Sequence, residues 1–181
     1  NSQIRIMDKS GSTISTTSLY SFWSSLSISR VFDPKILYDP YSNRWVFTTC
    51  ANPASTSSSV LLAVSESDDP TSNWYLAKFD ADQGDTLWAD YPSFGFNKNW
   101  IAVSMNMFTH SPYYFEEVRM WVVNKDSAYA NDWDCEMIRE TTQQAFTLVP
   151  AKTFDNSNDT LFLMHLNGLT HIIIPLMTAR N

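Results

Sequence analysis

The sequence predicts an all-β fold, and three observations carry that prediction. A tryptophan-led apolar segment, Trp45-Val46-Phe47-Thr48-Thr49, recurs as Trp100-Ile101-Ala102-Val103-Ser104 and again as Thr160-Leu161-Phe162-Leu163-Met164. Each copy is followed by a second apolar run: Val60-Leu61-Leu62-Ala63-Val64, then Met120-Trp121-Val122-Val123, then Ile172-Ile173-Ile174. An earlier copy of that second run, Ile4-Arg5-Ile6-Met7, opens the chain. Aromatic residues reach 14%, a share suited to pleated surfaces on which flat rings pack. The apolar runs are also unbroken, which means that both faces of the strands are buried. A helix-covered parallel sheet would bury both faces as well, but its crossovers need about a dozen residues each, and no such helical segment is present. Self-similarity at a period of tens of residues means stacked supersecondary units. Together these features predict a β-propeller built from four-stranded antiparallel blades.

The clearest unit spans residues 33–80. Residues 35–38 are expected as a short first strand, Asp39-Pro40-Tyr41-Ser42-Asn43 as a turn, and residues 44–51 as a second strand. A third strand over 58–65 and a fourth over 74–79 flank the turn Asp68-Asp69-Pro70-Thr71-Ser72-Asn73. The next unit, 88–141, repeats this with strands over 91–96, 100–107, 117–124 and, within 135–140, a fourth. A short helix over 132–144 is the alternative there, because Trp133 and Met137 are four apart. A partial unit over 145–177 supplies strands at 145–149, 161–166 and 170–177, with a turn at Asn167-Gly168. Residues 1–22 supply the last two strands of an earlier unit, 3–7 and 14–19, joined through Asp8-Lys9-Ser10-Gly11. Two full blades and two partial ones fall short of the roughly four that closed propellers need. The expectation is a segment of a larger propeller, or one that closes with neighbouring chains.

Composition narrows the function. A chain of 181 residues that is 44% hydrophobic can bury a sizeable core and is not a disordered tail. Its formal net charge of -7, with the twelve basic residues scattered singly, argues against nucleic acid as a partner. No apolar run is long enough to span a membrane. The lack of an initiator Met or a signal peptide fits a processed mature chain or a segment of a longer one. Cys50 and Cys135 match no metal motif and either form one bridge or stay as buried thiols. Ser, Thr and Asn crowd residues 10–18, 21–29 and 55–59, as in extracellular β proteins, and Asn158-Asp159-Thr160 is a glycosylation sequon in an expected turn.

Ser67-Asp68-Asp69-Pro70-Thr71-Ser72-Asn73-Trp74 resembles the Asp-box of sialidase-type propellers, a hairpin motif between a blade's third and fourth strands. Ser67, Asp69 and Trp74 hold the motif's places, while Thr71 and Asn73 stand where the family has Gly and Thr. Phe32-Asp33-Pro34-Lys35-Ile36-Leu37-Tyr38-Asp39 with Arg44-Trp45, Trp88-Ala89-Asp90-Tyr91-Pro92, and Phe146-Thr147-Leu148-Val149-Pro150-Ala151 resemble propeller segments of large secreted or surface bacterial proteins. The resemblance implies an exported propeller and leaves the ligand open, because propellers host unrelated functions.

It also raises a glycosidase. Sialidases bind a substrate carboxylate through three arginines and use a tyrosine with an acidic partner. None of the six arginines here sits in the Phe-Arg-Ile-Pro context of that site, and Arg44 and Arg119 read as strand-edge or interblade pairing residues. Asp33, Asp39 and Asp90 end or begin inner strands, near the expected axial mouth, where they are candidate ligand-binding or acidic groups, with turn capping as the alternative. Tyr113 and Tyr114 are candidate sugar-stacking residues or blade-end caps. Asp80, Asp82 and Asp85 form an acidic loop with a spacing a little like a calcium loop; Ca2+ is the one cofactor suggested, and a solvated loop the alternative. No phosphate-binding glycine loop or nucleophile elbow occurs. The expected role is an extracellular or cell-surface module for binding or scaffolding, with glycans or other copies or segments of the same protein as partners. A sialidase-like glycoside hydrolase with catalytic residues partly outside this segment is the alternative, and a subunit of a surface filament or layer a further one.

Overall fold

The computed structural model describes residues 2–141, 145–167 and 170–176. The expected turn residue Gly168, the expected strand end Met177, and residues 142–144 of the helical alternative lie outside the described residues.

An antiparallel hairpin, β1 (Gln3–Met7) and β2 (Thr13–Ser18), opens the chain. Its turn is held by Asp8, whose Oδ1 accepts from the backbone amides of Ser10 and Ser12, both at 2.9 Å, while Gly11 takes the left-handed conformation at φ 89°. Sheet I follows in meander order: β3 (Val31–Asp39), β4 (Arg44–Ala51), β5 (Ser59–Ser65) and β6 (Trp74–Asp80). Sheet II repeats it with β7 (Leu87–Phe96), β8 (Trp100–Thr109), β9 (Phe115–Asn124) and β10 (Cys135–Glu140). Sheet III has three strands in order, β11 (Val149–Pro150), β12 (Leu161–Asn167) and β13 (Thr170–Leu176). Every pairing within the sheets is antiparallel.

The repeated apolar runs occupy the second and third strands. All seven residues of β5 are buried, as are seven consecutive residues in each of β8 and β9, because sheets I and II are each covered on both sides. Leu19, Trp23, Phe47 and Leu61 fill the space between the N-terminal unit and sheet I. Val46, Leu62, Val103 and Trp121 pack between sheets I and II, and Ala102, Met120, Leu148 and Leu163 between sheets II and III. The first strands are neighbours: β7 lies against β3 and against β11. Near their lower ends, Phe96 N donates to Ala151 O at 3.1 Å and Thr153 N to Phe96 O at 2.8 Å, forming a parallel bridge between sheets II and III.

Several expected elements differ. The strand over 14–19 stops at Ser18, whose side chain caps helix α1 (Leu19–Trp23) by accepting from Ser21 N. Leu19 and Trp23, four apart, then bury one face of that helical turn. Residues 135–140 form the strand and not the alternative helix; a helix does occur, but earlier, as α2 (Lys125–Tyr129) capped by Asn124. The strand expected over 145–149 shrinks to Val149–Pro150, because Thr147 sits at φ 60°. The first strands of sheets I and II are longer than expected and each carries a bulge. Pairing slips between Phe32 and Lys35 with Asp33 at φ 51°, and between Asp90 and Ser93 with Tyr91 at φ 55°. These left-handed residues precede Pro34 and Pro92, and at the first bulge a side chain of the second strand takes up a carbonyl that the ladder leaves unpaired, whereas the corresponding side chain of sheet II reaches to sheet III. Thr49 Oγ1 donates to Phe32 O, and Asn106 Oδ1 accepts from Thr147 N at 2.9 Å. Cys50 and Cys135 are free; Cys50 is buried with Sγ 3.6 Å from Met105 Sδ.

Candidate functional site

At the upper end, where the β4–β5 and β8–β9 loops meet, a groove of about 440 Å3 opens between sheets I and II. Arg30, Pro53 and Ala54 form one wall, and Trp88, Asp90, Phe108 and Tyr113 the other. The first wall is pinned by Asn52, whose Oδ1 accepts from Ser29 N and Ser29 Oγ, both at 2.8 Å, and whose Nδ2 donates to Ser57 O at 3.0 Å. On the second, Thr109 closes the 110–114 loop: its N donates to Tyr114 O at 3.0 Å and its Oγ1 accepts from Tyr114 N at 2.9 Å. That tight return holds Tyr113, 62% exposed, over Trp88 with ring centroids 5.6 Å apart. Trp88 itself is buried and donates through Nε1 to Thr109 O at 3.2 Å.

The polar groups of the groove are a guanidinium and a carboxyl. Arg30 is exposed, and its guanidinium has no ion-pair partner among the described residues. Asp90 is half-buried on the bulge of β7, and its Oδ1 accepts from Tyr91 N at 2.7 Å. Burial, and then the negative charge of Asp33, push the Asp90 carboxyl above its ordinary range against that hydrogen bond. The two bulges therefore bring Asp33 and Asp90 into one electrostatic neighbourhood, with no cation paired to either among the described residues.

Asp39 does not join them. It lies at the opposite end of β3, wholly buried, with Oδ2 2.6 Å from both Lys125 Nζ and Tyr129 Oη. Lys125 is buried too, donates to Asn97 O at 3.0 Å, and stands over the rings of Tyr41 and Phe96 at 4.8 and 5.3 Å. The expectation that placed Asp39 beside Asp33 and Asp90 at one mouth is corrected: antiparallel runs put a strand's two ends on opposite faces, and this carboxylate ties sheet I to sheet II from within. Tyr114, 64% exposed, sits beside Tyr113 on the same loop but does not line the groove.

The acidic loop is corrected as well. Asp82 is buried, with Oδ2 accepting from Thr86 N, Thr86 Oγ1 and Leu87 N at 2.8, 2.8 and 2.9 Å, and Oδ1 from Gly84 N and Arg119 Nη1 at 3.3 and 2.9 Å. Burial would raise its pKa, but Thr86, Arg119 and Leu87 outweigh that and hold the carboxylate far below its usual range. Its lone pairs are spent, and a guanidinium stands where a cation would approach. Asp80 accepts from Asp82 N at 3.1 Å, and no group of acidic, His or Cys side chains among the described residues is arranged to hold a metal. Arg119 also bonds Glu117, which Arg139 grips from the other side at 2.7 Å. A groove of about 710 Å3 runs beside this network, with Trp121, Met137 and Cys135 in its lining. Both thiols are poor nucleophiles: burial pushes Cys135 up to about 12, with Asp134 and Glu136 adding to it, and raises Cys50 strongly.

On the β5–β6 hairpin, Asp69 Oδ1 accepts from Thr71 N at 2.8 Å and Thr71 Oγ1 at 2.7 Å, Ser67 Oγ lies 2.9 Å from Ser72 Oγ, and Trp74 Nε1 donates to Pro70 O at 3.1 Å. Trp74 packs edge-on against Phe22 and Phe47. The three residues act in turn formation and packing.

No family model, curated protein or solved structure matches this chain. The candidate site stands on its own geometry. Of its residues, Asp90 and Tyr113 are readable in the sequence; Arg30, Pro53, Ala54, Trp88 and Phe108 are not. Arg30 precedes a strand without a motif, and Trp88 falls outside the expected strand over 91–96 because the bulge at Tyr91 interrupts the pattern. The Trp88-Ala89-Asp90 triplet on a longer first strand is the signal that would have found it.

Proposed function

We propose that this chain is an exported, cell-surface or extracellular β-propeller module that binds carbohydrate in the groove between sheets I and II. The observation that carries the reading is the groove's make-up: the exposed ring of Tyr113, backed by Trp88 and Phe108, beside the Arg30 guanidinium, which has no ion-pair partner among the described residues, and one carboxyl. Aromatic rings match the apolar C–H faces of a pyranose, while Arg30 and Asp90 donate to and accept from its hydroxyls. A propeller is supported by serial meander sheets whose first strands adjoin while their two-faced second and third strands are sandwiched. The Asp69 turn keeps the sialidase-type resemblance on that list.

A glycan array tests the reading. Retention of neutral glycans by the protein, lost on Tyr113→Ala with the fold intact, is the expected result; retention of none by the unaltered protein refutes it. A second reading, a glycoside hydrolase, is favoured by the Asp33–Asp90 neighbourhood, in which one carboxyl is held protonated more readily than usual, as a general acid requires. Turnover of aryl glycosides that disappears in Asp90→Asn would select it over binding alone.

A further inference from the structure

The groove is one end of a longer aromatic strip. From Phe32 on sheet I, ring centroids step 6.5 Å to Trp88, 5.7 Å to Phe108 and 6.5 Å to Phe146, which precedes the first strand of sheet III. Phe115 closes the side of this path at 6.0 Å from Phe108 and 5.0 Å from Phe146. Tyr113 and Phe146 are 62% and 53% exposed, one at each half of the strip. The strip thus runs across three sheets on the upper face, and its ring-to-ring steps are of the same order as the advance of a pyranose chain.

We propose that the ligand is a neutral oligosaccharide chain that lies along this strip, from the Tyr113 groove to Phe146, and is recognised over several sugar units. The inference rests on the carbohydrate reading above and adds polymer length and charge to it. The strip's charged groups near the groove are Arg30 against Asp90 and the neighbouring Asp33, which leave no surplus positive charge for an anionic sugar. A chain carrying -7 overall repels polyanionic glycans and nucleic acids at long range, so an uncharged chain is the occupant that fits. The two exposed rings, Tyr113 and Phe146, stand at opposite ends of this path, so a chain long enough to reach both gains a second stacking contact without a new charge.

The test is calorimetric titration of the full chain with neutral cello-, xylo-, manno- and malto-oligosaccharides from one to six units, together with Tyr113→Ala and Phe146→Ala. Affinity is expected to rise about tenfold from the disaccharide to the tetrasaccharide in at least one series, the scale of one or two stacked rings. Phe146→Ala should abolish that rise while the disaccharide still binds and the chain still melts cooperatively, at a somewhat lower temperature for the lost contacts with Phe108 and Phe115; Tyr113→Ala should weaken every length. Binding that is insensitive to length, or a rise that survives Phe146→Ala, overturns the strip and leaves the groove. Absence of binding to all four series and to the glycan array overturns both.

Discussion

At the residue scale, burial acts on the carboxyls of Asp82 and Asp90 with opposite net results. Asp82 accepts five hydrogen bonds and lies well below its ordinary pKa, so its contribution to stability is present above the unfolded carboxylate value and is lost only as pH falls through the folded one. Asp90 has the opposite sign. Its folded pKa is raised by burial and by Asp33, so the folded state holds its proton longer and stability falls as pH rises past the usual carboxylate range. Asp90→Asn should therefore melt a few degrees higher than the unaltered protein at pH 7, and the gap should close below about pH 4; a gap independent of pH would deny the strain. A side chain kept at a cost to stability, on a bulge in a groove, is where a binding role is expected. The Asp39–Lys125 pair gives a second prediction. Lys125→Met leaves a wholly buried carboxylate without its cation and should cost about 3–5 kcal/mol in urea unfolding, whereas Lys125→Met with Asp39→Asn should recover much of that.

At the element scale, the strands whose two faces are buried are the ones a sequence shows best. Residues 44–51 form β4 as read, and the paired apolar runs mark second and third strands correctly, because continuous burial leaves a continuous apolar signature; β10 keeps its expected span, 135–140, without any buried residue. First strands are harder. Asp33, Tyr91 and Thr147 take left-handed backbone without being glycine, and beside Asp33 and at Thr147 the backbone is held by side chains of other strands, Thr49 and Asn106, that no local window contains. The α1 turn hides for a related reason: Leu19 and Trp23 are surrounded by serines, so its periodicity is two residues long. Within the site, Asp90 and Tyr113 carry recognisable chemistry, while Arg30 and Trp88 gain meaning only from the neighbouring sheet. Gly95 shows how tightly first strands meet. A Cβ there would run into the backbone of Pro150 and Ala151, atoms already committed to the bridge between sheets II and III. Gly95→Ala should destabilise the chain by about 1–3 kcal/mol and raise amide exchange at Phe96 and Thr153 first. Uniform protection in the variant would contradict that placement.

At the scale of the whole molecule, stability is passed from sheet to sheet, and the layers are unequal. The core between sheets I and II gathers buried residues from five of the eight strands of both sheets together with the α2 residue Ala128, while the core between sheets II and III is smaller and closes on a two-residue first strand. An aspartate placed in either core buries an unpaired charge, but the consequences should differ. Leu62→Asp strikes the layer that every other sheet leans on and should leave no cooperative transition. Leu163→Asp strikes the outer layer, so sheets I and II keep their own core and sheet III detaches. That variant should resist limited proteolysis up to about residue 140, be cut beyond it, and lose the part of the binding that depends on Phe146 while retaining the Tyr113 groove. Global unfolding by Leu163→Asp would mean instead that the sheets stand only as a complete stack, with the upper-face strip and the cores sharing one fate.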